Sequence, residues 1–362
     1  MESLNHESLF YTRQILQRSL APVAEILRDP TSDSCNNLQS AVDLLVALKE
    51  DFVPSSKLKK HEKIGSSLLY SMMDYAPSFE ARGRVANDIR ACSREGDSKE
   101  MVLQRLLTLT SDYMYAIVVQ FKSLKDRSPL TFHPSHTDAI EYRDESSASE
   151  LTNGGRIAAK AAAFKRDNGR CLLTGILDMN LEDMAIDDES VLPIQCAHII
   201  PYSLAAHSAI FWEIAGWFTD LKHTDLDGEK INRVDNLITL TQAIHTAFDA
   251  LDLWLEAVLD EENWYRVEVL SHRLRRGLGL ALIDKVHFIS PDPVKLPVPN
   301  PLYLRLHAAC AKIARMSGAG EVIDVLEREI DETPVLAKDG SSVHLLDHKL
   351  AVHKRSFVPA SA

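Results

Sequence analysis

Three side chains set the chemical question: His198 in "IQCAHIIPYS" (194–203), and His245 and Asp249, four residues apart in "QAIHTAFDALD". An imidazole titrates near neutral pH, so a histidine at an open position can take a proton from water. A His and an Asp one helical turn apart project from one face. Together they offer a neutral nitrogen and a hard carboxylate oxygen, a ready pair of ligands for a divalent cation. Each feature also has an ordinary alternative. A lone strand histidine is more often a hydrogen-bonded structural residue, and an H-x-x-x-D pair is more often a helix salt bridge. A fourth polar residue, Asn236, starts the run "NLITL" nine residues before His245.

Two strands and a helix must hold these residues. The run "VLPIQCAHIIP" predicts a strand closed by Pro201, and "NLITL" predicts a second. Thr241 is placed to cap a helix over "QAIHTAFDALD", seated through Ile244, Phe248 and Leu251. Upstream, "CLLTG" (171–175) predicts a short strand ended by Thr174 and Gly175. About 38 residues separate His198 from Asn236. Within them, "AHSAIFWEIAGWFTDLK" predicts a helix with Ile210, Ile214, Trp217 and Leu221 on one face. Its aromatics Phe211, Trp212, Trp217 and Phe218 could stack on bases, but at this spacing they read as core, and the insertion reads as a packing element. The run "LWLEAVLDEENWYRVEVL" predicts a hairpin.

The first 124 residues read as helical. Leu103, Leu107, Met114, Ile117 and Phe121 recur at steps of three, four or seven. "HESLFYTRQILQRSLAPVAEIL" and "NLQSAVDLLVALKEDF" behave alike, and Lys57, Lys59, Lys60 and Lys63 read as a solvated helix end. Residues 125–155, rich in Ser, Pro and Gly, have the composition of a linker. Residues 156–270 then hold the chemistry, and 271–362 are mostly helical, with "LYLRLHAACAKIARM" and "EVIDVLEREI" separated by "SGAG".

Net charge is −12 over 362 residues, which by itself counts against a nucleic-acid partner. The distribution tells more. "RIAAKAAAFKRDNGR" (156–170) holds Arg156, Lys160, Lys165, Arg166 and Arg170 against one acid, Asp167, and "SHRLRRGLG" is a second basic island. Acidic residues 178–189 (Asp178, Glu182, Asp183, Asp187, Asp188, Glu189) read as a solvated loop. No run approaches the roughly 20 apolar residues of a membrane helix, and the N-terminus lacks a secretory signature. Five cysteines, with no C-x-x-C pair, argue for a reducing compartment. The expectation is an intracellular protein of nucleus or cytoplasm, neither secreted nor membrane-bound.

Taken in order, "CLLTG", "AHIIP", "NLITL" and "HTAFD" resemble the HNH endonuclease family of the ββα-metal, or His-Me finger, fold. The resemblance covers roughly residues 164–255. It implies an α+β protein, with a ββα-metal core inserted between a helical N-terminal domain and a mostly helical C-terminal region. It also implies roles: His198 as general base, Asn236 holding the His198 ring through its backbone or amide, and His245 with Asp249 binding one divalent ion. Mg²⁺ is the first expectation for that ion, Mn²⁺ or Zn²⁺ the alternatives. The substrate would be nucleic acid, DNA ahead of RNA. Charge and position alone add Lys165, Arg166 and Arg170 as phosphate contacts.

One departure stands out. Many members carry Asp or His just before the base as a further ligand, and this chain has Ala197. Alanine or serine there is common in the branch it resembles. Cys196, two residues before His198, is weighed as a thiolate ligand and read instead as a small buried residue. The alternative function is a non-catalytic scaffold of HNH fold, with its helical flanks engaging a protein partner or a second copy. Net acidity and Ala197 favour that alternative; the four intact polar residues favour catalysis.

Overall fold

A computed structural model describes residues 33–48, 64–122, 154–184, 190–205, 209–279, 282–333, 342 and 345–346. The lysine cluster at 57–63, the helix expected near the N-terminus and nearly all of the expected linker lie outside the described residues. Within them the fold is α+β, helices with three small sheets. The chain divides into two compact units. One draws on Met1–Val119, Ala209–Asp220 and Lys312–Ala362, the other on Gln120–Ser208 and Leu221–Ala311.

The first unit is helical where described. Helices Phe79–Ala91 and Lys99–Tyr113 each begin at a serine. The Ser78 and Ser98 hydroxyls accept the N–H groups of Ala81 and Met101, and Glu80 and Glu100 place negative charge at the positive end of each helix dipole. Leu107, Met114 and Ile117 of the expected stripe are buried. The helix Ala209–Thr219 belongs to this unit and buries Phe211, Trp212, Ile214, Ala215 and Phe218. Its apolar face is therefore rotated from the expected one: Ile210 is exposed and Trp217 only half-buried, with Arg84 5.7 Å over its ring.

The second unit carries β1 (Leu177–Asp178), β2 (Val191–Leu192), β3 (Ile194–His198) and β4 (Leu237–Thr241). β3 and β4 are antiparallel, with Ile194 opposite Thr241 and His198 opposite Leu237. The helix Gln242–Asp249 follows β4 without a loop, with Thr241 at its N-cap but making no side-chain cap bond. The helix Gly154–Arg166 covers the other side of the pair, where Ala159 and Ala163 meet Cys196 and Leu237 in one apolar cluster. The expected hairpin is β5 (Leu253–Ala257) and β6 (Trp264–Val269), and β7 (Lys285–His287) adds a third antiparallel strand.

Two local expectations fail for physical reasons. "CLLTG" is a turn, not a strand. Cys171 and Leu173 are buried, which imitates a strand's alternation. Gly175, at φ 72°, folds the chain back, so that its N–H reaches the Cys171 carbonyl at 2.8 Å. Asp178 is not a solvated acid either. It is fully buried, and its carboxylate accepts the N–H groups of Asn180 and Ile194 at 2.8 and 2.9 Å, tying β1 to the start of β3.

The helix bearing His245 is held at its far end. Ile244, Phe248 and Leu251 are buried, and the buried Lys122 ammonium donates to the Ala250 carbonyl at 3.2 Å. His307 Nε2 lies 3.2 Å from the Phe248 carbonyl, and its ring stacks on Phe248 with centroids 3.8 Å apart. Burial pushes the His307 pKa down to about 4, against the opposing pull of the Phe248 carbonyl and Asp249. A histidine with a depressed folded pKa binds its proton more readily when unfolded. Stability is therefore expected to fall as pH drops from 6.5 toward 4, by about 3 kcal/mol in total. Urea unfolding across that range measures the loss, and His307→Phe should flatten the dependence.

Candidate active site

β3 ends at His198, and Asn236 decides how it ends. Asn236 is fully buried. Its side-chain oxygen accepts the Ile200 N–H at 2.9 Å, and its amide donates to the carbonyls of Ile200 and Ile231 at 3.1 and 2.9 Å. Its own carbonyl accepts the Ile199 N–H at 2.9 Å. Asn236 thus fixes the backbone leaving His198 and, with the same amide, the segment before Asn232. The expectation that it grips the His198 ring is corrected: the ring is met by Asn232, whose Oδ1 lies 3.2 Å from His198 Nε2. Asn232 in turn donates to Glu229 Oε2 at 3.1 Å. On its other side the ring lies 5.8 Å from that of Tyr202, over which the Arg156 guanidinium sits at 4.8 Å.

Strand alternation places Gln195 and Ala197 on the side opposite Cys196. On that side Gln195 Oε1 lies 2.8 Å from His245 Nδ1. An amide oxygen accepts, so Nδ1 carries the proton and Nε2 the lone pair. That nitrogen faces Asp249 Oδ2 at 3.1 Å. A lone pair turned toward a carboxylate is the arrangement of two ligands sharing a cation, and the same 3.1 Å is the length of a hydrogen bond when Nε2 carries the proton. Ligands at right angles on an octahedral ion, each about 2.1 Å away, lie about 3.0 Å apart. The pair therefore fits a shared ion. The side chains are 23% and 37% exposed, open enough for an ion to enter from solvent. No cluster of three or more His, Cys, Asp or Glu among the described residues is arranged to hold an ion.

Other expected site residues fare differently. Arg166 is not a phosphate contact. Its side chain is fully buried, and all five guanidinium N–H donors are used. Two go to Asp167 at 2.6 and 2.8 Å, and three to the carbonyls of Val234, Leu237 and Pro297 at 2.9, 2.9 and 3.0 Å. Burial pushes the Asp167 carboxyl up, while Arg166 and the Thr239 hydroxyl pull it down. Lys165 is exposed and Arg170 partly so, with its guanidinium donating to the Gly175 carbonyl at 2.8 Å. Cys196 is no ligand in waiting. Its thiol faces the Lys160 carbonyl, and burial pushes its pKa up to about 12.

Sequence reading missed Gln195, Asn232 and Glu229. Gln195 had a signal, since alternation sets it on the same strand face as Ala197. Asn232 and Glu229 had none, because they reach His198 only through the 3₁₀ turn Gly228–Asn232 that the insertion folds back.

Residues 171–256 match the family model for HNH endonucleases. The matched stretch takes in β3, β4, the helix Gln242–Asp249 and all four residues expected to carry the chemistry. No curated protein and no solved structure matches the chain.

Proposed function

We propose that the second unit is a metal-dependent endonuclease that hydrolyses nucleic-acid phosphodiester bonds, with DNA as substrate ahead of RNA. What carries the reading is the open His245–Asp249 pair, its imidazole held by Gln195, on the helix that directly follows the strand pair ending at His198. His198 takes a proton from the attacking water as the new O–P bond forms. Asn236 keeps the backbone behind His198 fixed, so the ring does not drift as charge moves. His245 and Asp249 hold one divalent ion, which when bound stabilises negative charge on the phosphate and the departing oxygen. Two protein ligands with water and phosphate completing the shell suit Mg²⁺ or Mn²⁺; Zn²⁺ ordinarily takes three or four protein ligands. Arg156, Lys165 and Arg170 steady the substrate backbone by charge.

The test is incubation of the full chain with supercoiled plasmid and with single-stranded DNA or RNA, under Mg²⁺, Mn²⁺ or EDTA. Ion-dependent nicking lost in EDTA is expected. Asp249→Asn should raise the metal concentration for half-maximal cleavage by about 10- to 100-fold. Absence of cleavage under every condition overturns the reading in favour of a scaffold of HNH fold, and the helical flanks would then be tested for a protein partner.

A further inference from the structure

His198 ends in a chain of three polar groups whose hydrogen-bonding options are more limited than their number suggests. Glu229 presents a carboxylate, which accepts and does not donate. The Asn232 group 3.1 Å from it must therefore be the amide –NH₂, since an amide oxygen there would face another acceptor. That fixes the orientation of the side chain, and Oδ1 is left 3.2 Å from His198 Nε2. Against an acceptor oxygen, Nε2 must carry a proton. In the neutral ring Nδ1 then holds the lone pair, and only that nitrogen can take a proton from water.

The geometry also explains why this orientation persists. Asn232 is buried, so its amide has little room to turn. Its backbone is set by the 3₁₀ turn and by the Asn236 amide, which donates to the neighbouring Ile231 carbonyl. Glu229 and Asn232 lie three residues apart in that turn, and side chains at i and i+3 of a 3₁₀ helix eclipse. Asn236 and Asn232 thus act in sequence, one on the backbone behind His198 and one on its ring.

We propose that Asn232, oriented by Glu229, is the positioning residue that sets the His198 tautomer, with Nε2 protonated and Nδ1 left as the base. Its catalytic consequence rests on the nuclease reading above; the tautomer itself does not. The arrangement does for His198 what Gln195 does for His245, through the opposite ring nitrogen.

The deciding measurement is the nitrogen-15 spectrum of histidine-labelled full-length protein above pH 8, with His198 assigned through His198→Gln. Wild type should show His198 as the Nε2–H tautomer. Asn232→Leu should lose that preference, and Asn232→Asp combined with Glu229→Gln, which keeps an acceptor oxygen toward Nε2 and supplies an amide donor in place of the Glu229 carboxylate, should retain it. In cleavage, Asn232→Leu should lower kcat by about 10- to 100-fold with KM little changed, while the Asn232→Asp, Glu229→Gln pair recovers most of the rate. An Nδ1–H tautomer in wild type overturns the proposal whatever the variants do, as does an unchanged spectrum in Asn232→Leu. A protein that shows the expected tautomer but cuts no nucleic acid leaves the positioning intact and removes the nuclease reading alone.

Discussion

His198→Ala should reduce nicking by about 10²- to 10⁴-fold while the protein unfolds at the wild-type urea concentration. A positioned general base contributes a factor of that order. The side chain is only half-buried, and the strand around it is held by others: Leu237 pairs with it across β4, and Asn236 holds Ile199 and Ile200. Alanine leaves Gln195, His245 and Asp249 in place, so metal affinity should be unchanged when followed by Mn²⁺ titration. Imidazole in the buffer should restore part of the lost rate, because the cavity left beside Asn232 Oδ1 accepts a free ring in the orientation the native one had. Cleavage equal to wild type would put the base elsewhere.

The ββα segment was legible because each of its elements is contiguous and patterned. Ile194, Cys196 and Ala197 mark a strand buried on both faces, and Ile244, Phe248 and Leu251 mark the inner face of a short helix. The His245–Asp249 pair followed from helical spacing alone. The turn at "CLLTG" was illegible because burial of Cys171 and Leu173 has the strand period, and only the left-handed Gly175 breaks it. Asp178 was illegible for a different reason. One of its partners, the Ile194 N–H, lies sixteen residues away, so nothing nearby in the sequence distinguishes it from the other acids of that run.

Charge misled most where it was densest. Five basic residues in fifteen suggested a surface that contacts phosphate, and composition alone offers no other reading. Yet the helix Gly154–Arg166 is packed on β3 and β4 through Ala159 and Ala163, so one side of it must face inward. Arg166 falls on that side. The groups that satisfy it, the carbonyls of Val234, Leu237 and Pro297, come from 68 to 131 residues away. Residues that act through such distant partners, Arg166 and Asn232 alike, are visible only once the chain has folded.

Replacing Arg166 should therefore destabilise the unit and leave nucleic-acid contact unchanged. Arg166→Met removes a buried cation, leaves the Asp167 carboxylate with the Thr239 hydroxyl but no countercharge, and takes a donor from each of three carbonyls. Breaking a buried pair from one side costs about 3–5 kcal/mol, most of it the burden of the uncompensated charge. The urea midpoint should fall accordingly. Removing both charges, Arg166→Met with Asp167→Leu, should recover much of that loss, since two apolar side chains of similar volume leave no buried charge behind. A phosphate contact would behave in the opposite way. Stability would be nearly unchanged, and the salt dependence of DNA binding would lessen by about one counterion. The two results cannot be confused, because the urea midpoint needs no nucleic acid and the salt slope needs only folded protein. A lowered midpoint with an unchanged slope assigns Arg166 to the frame that holds β4 against the basic helix, and so to the frame on which His198 is set.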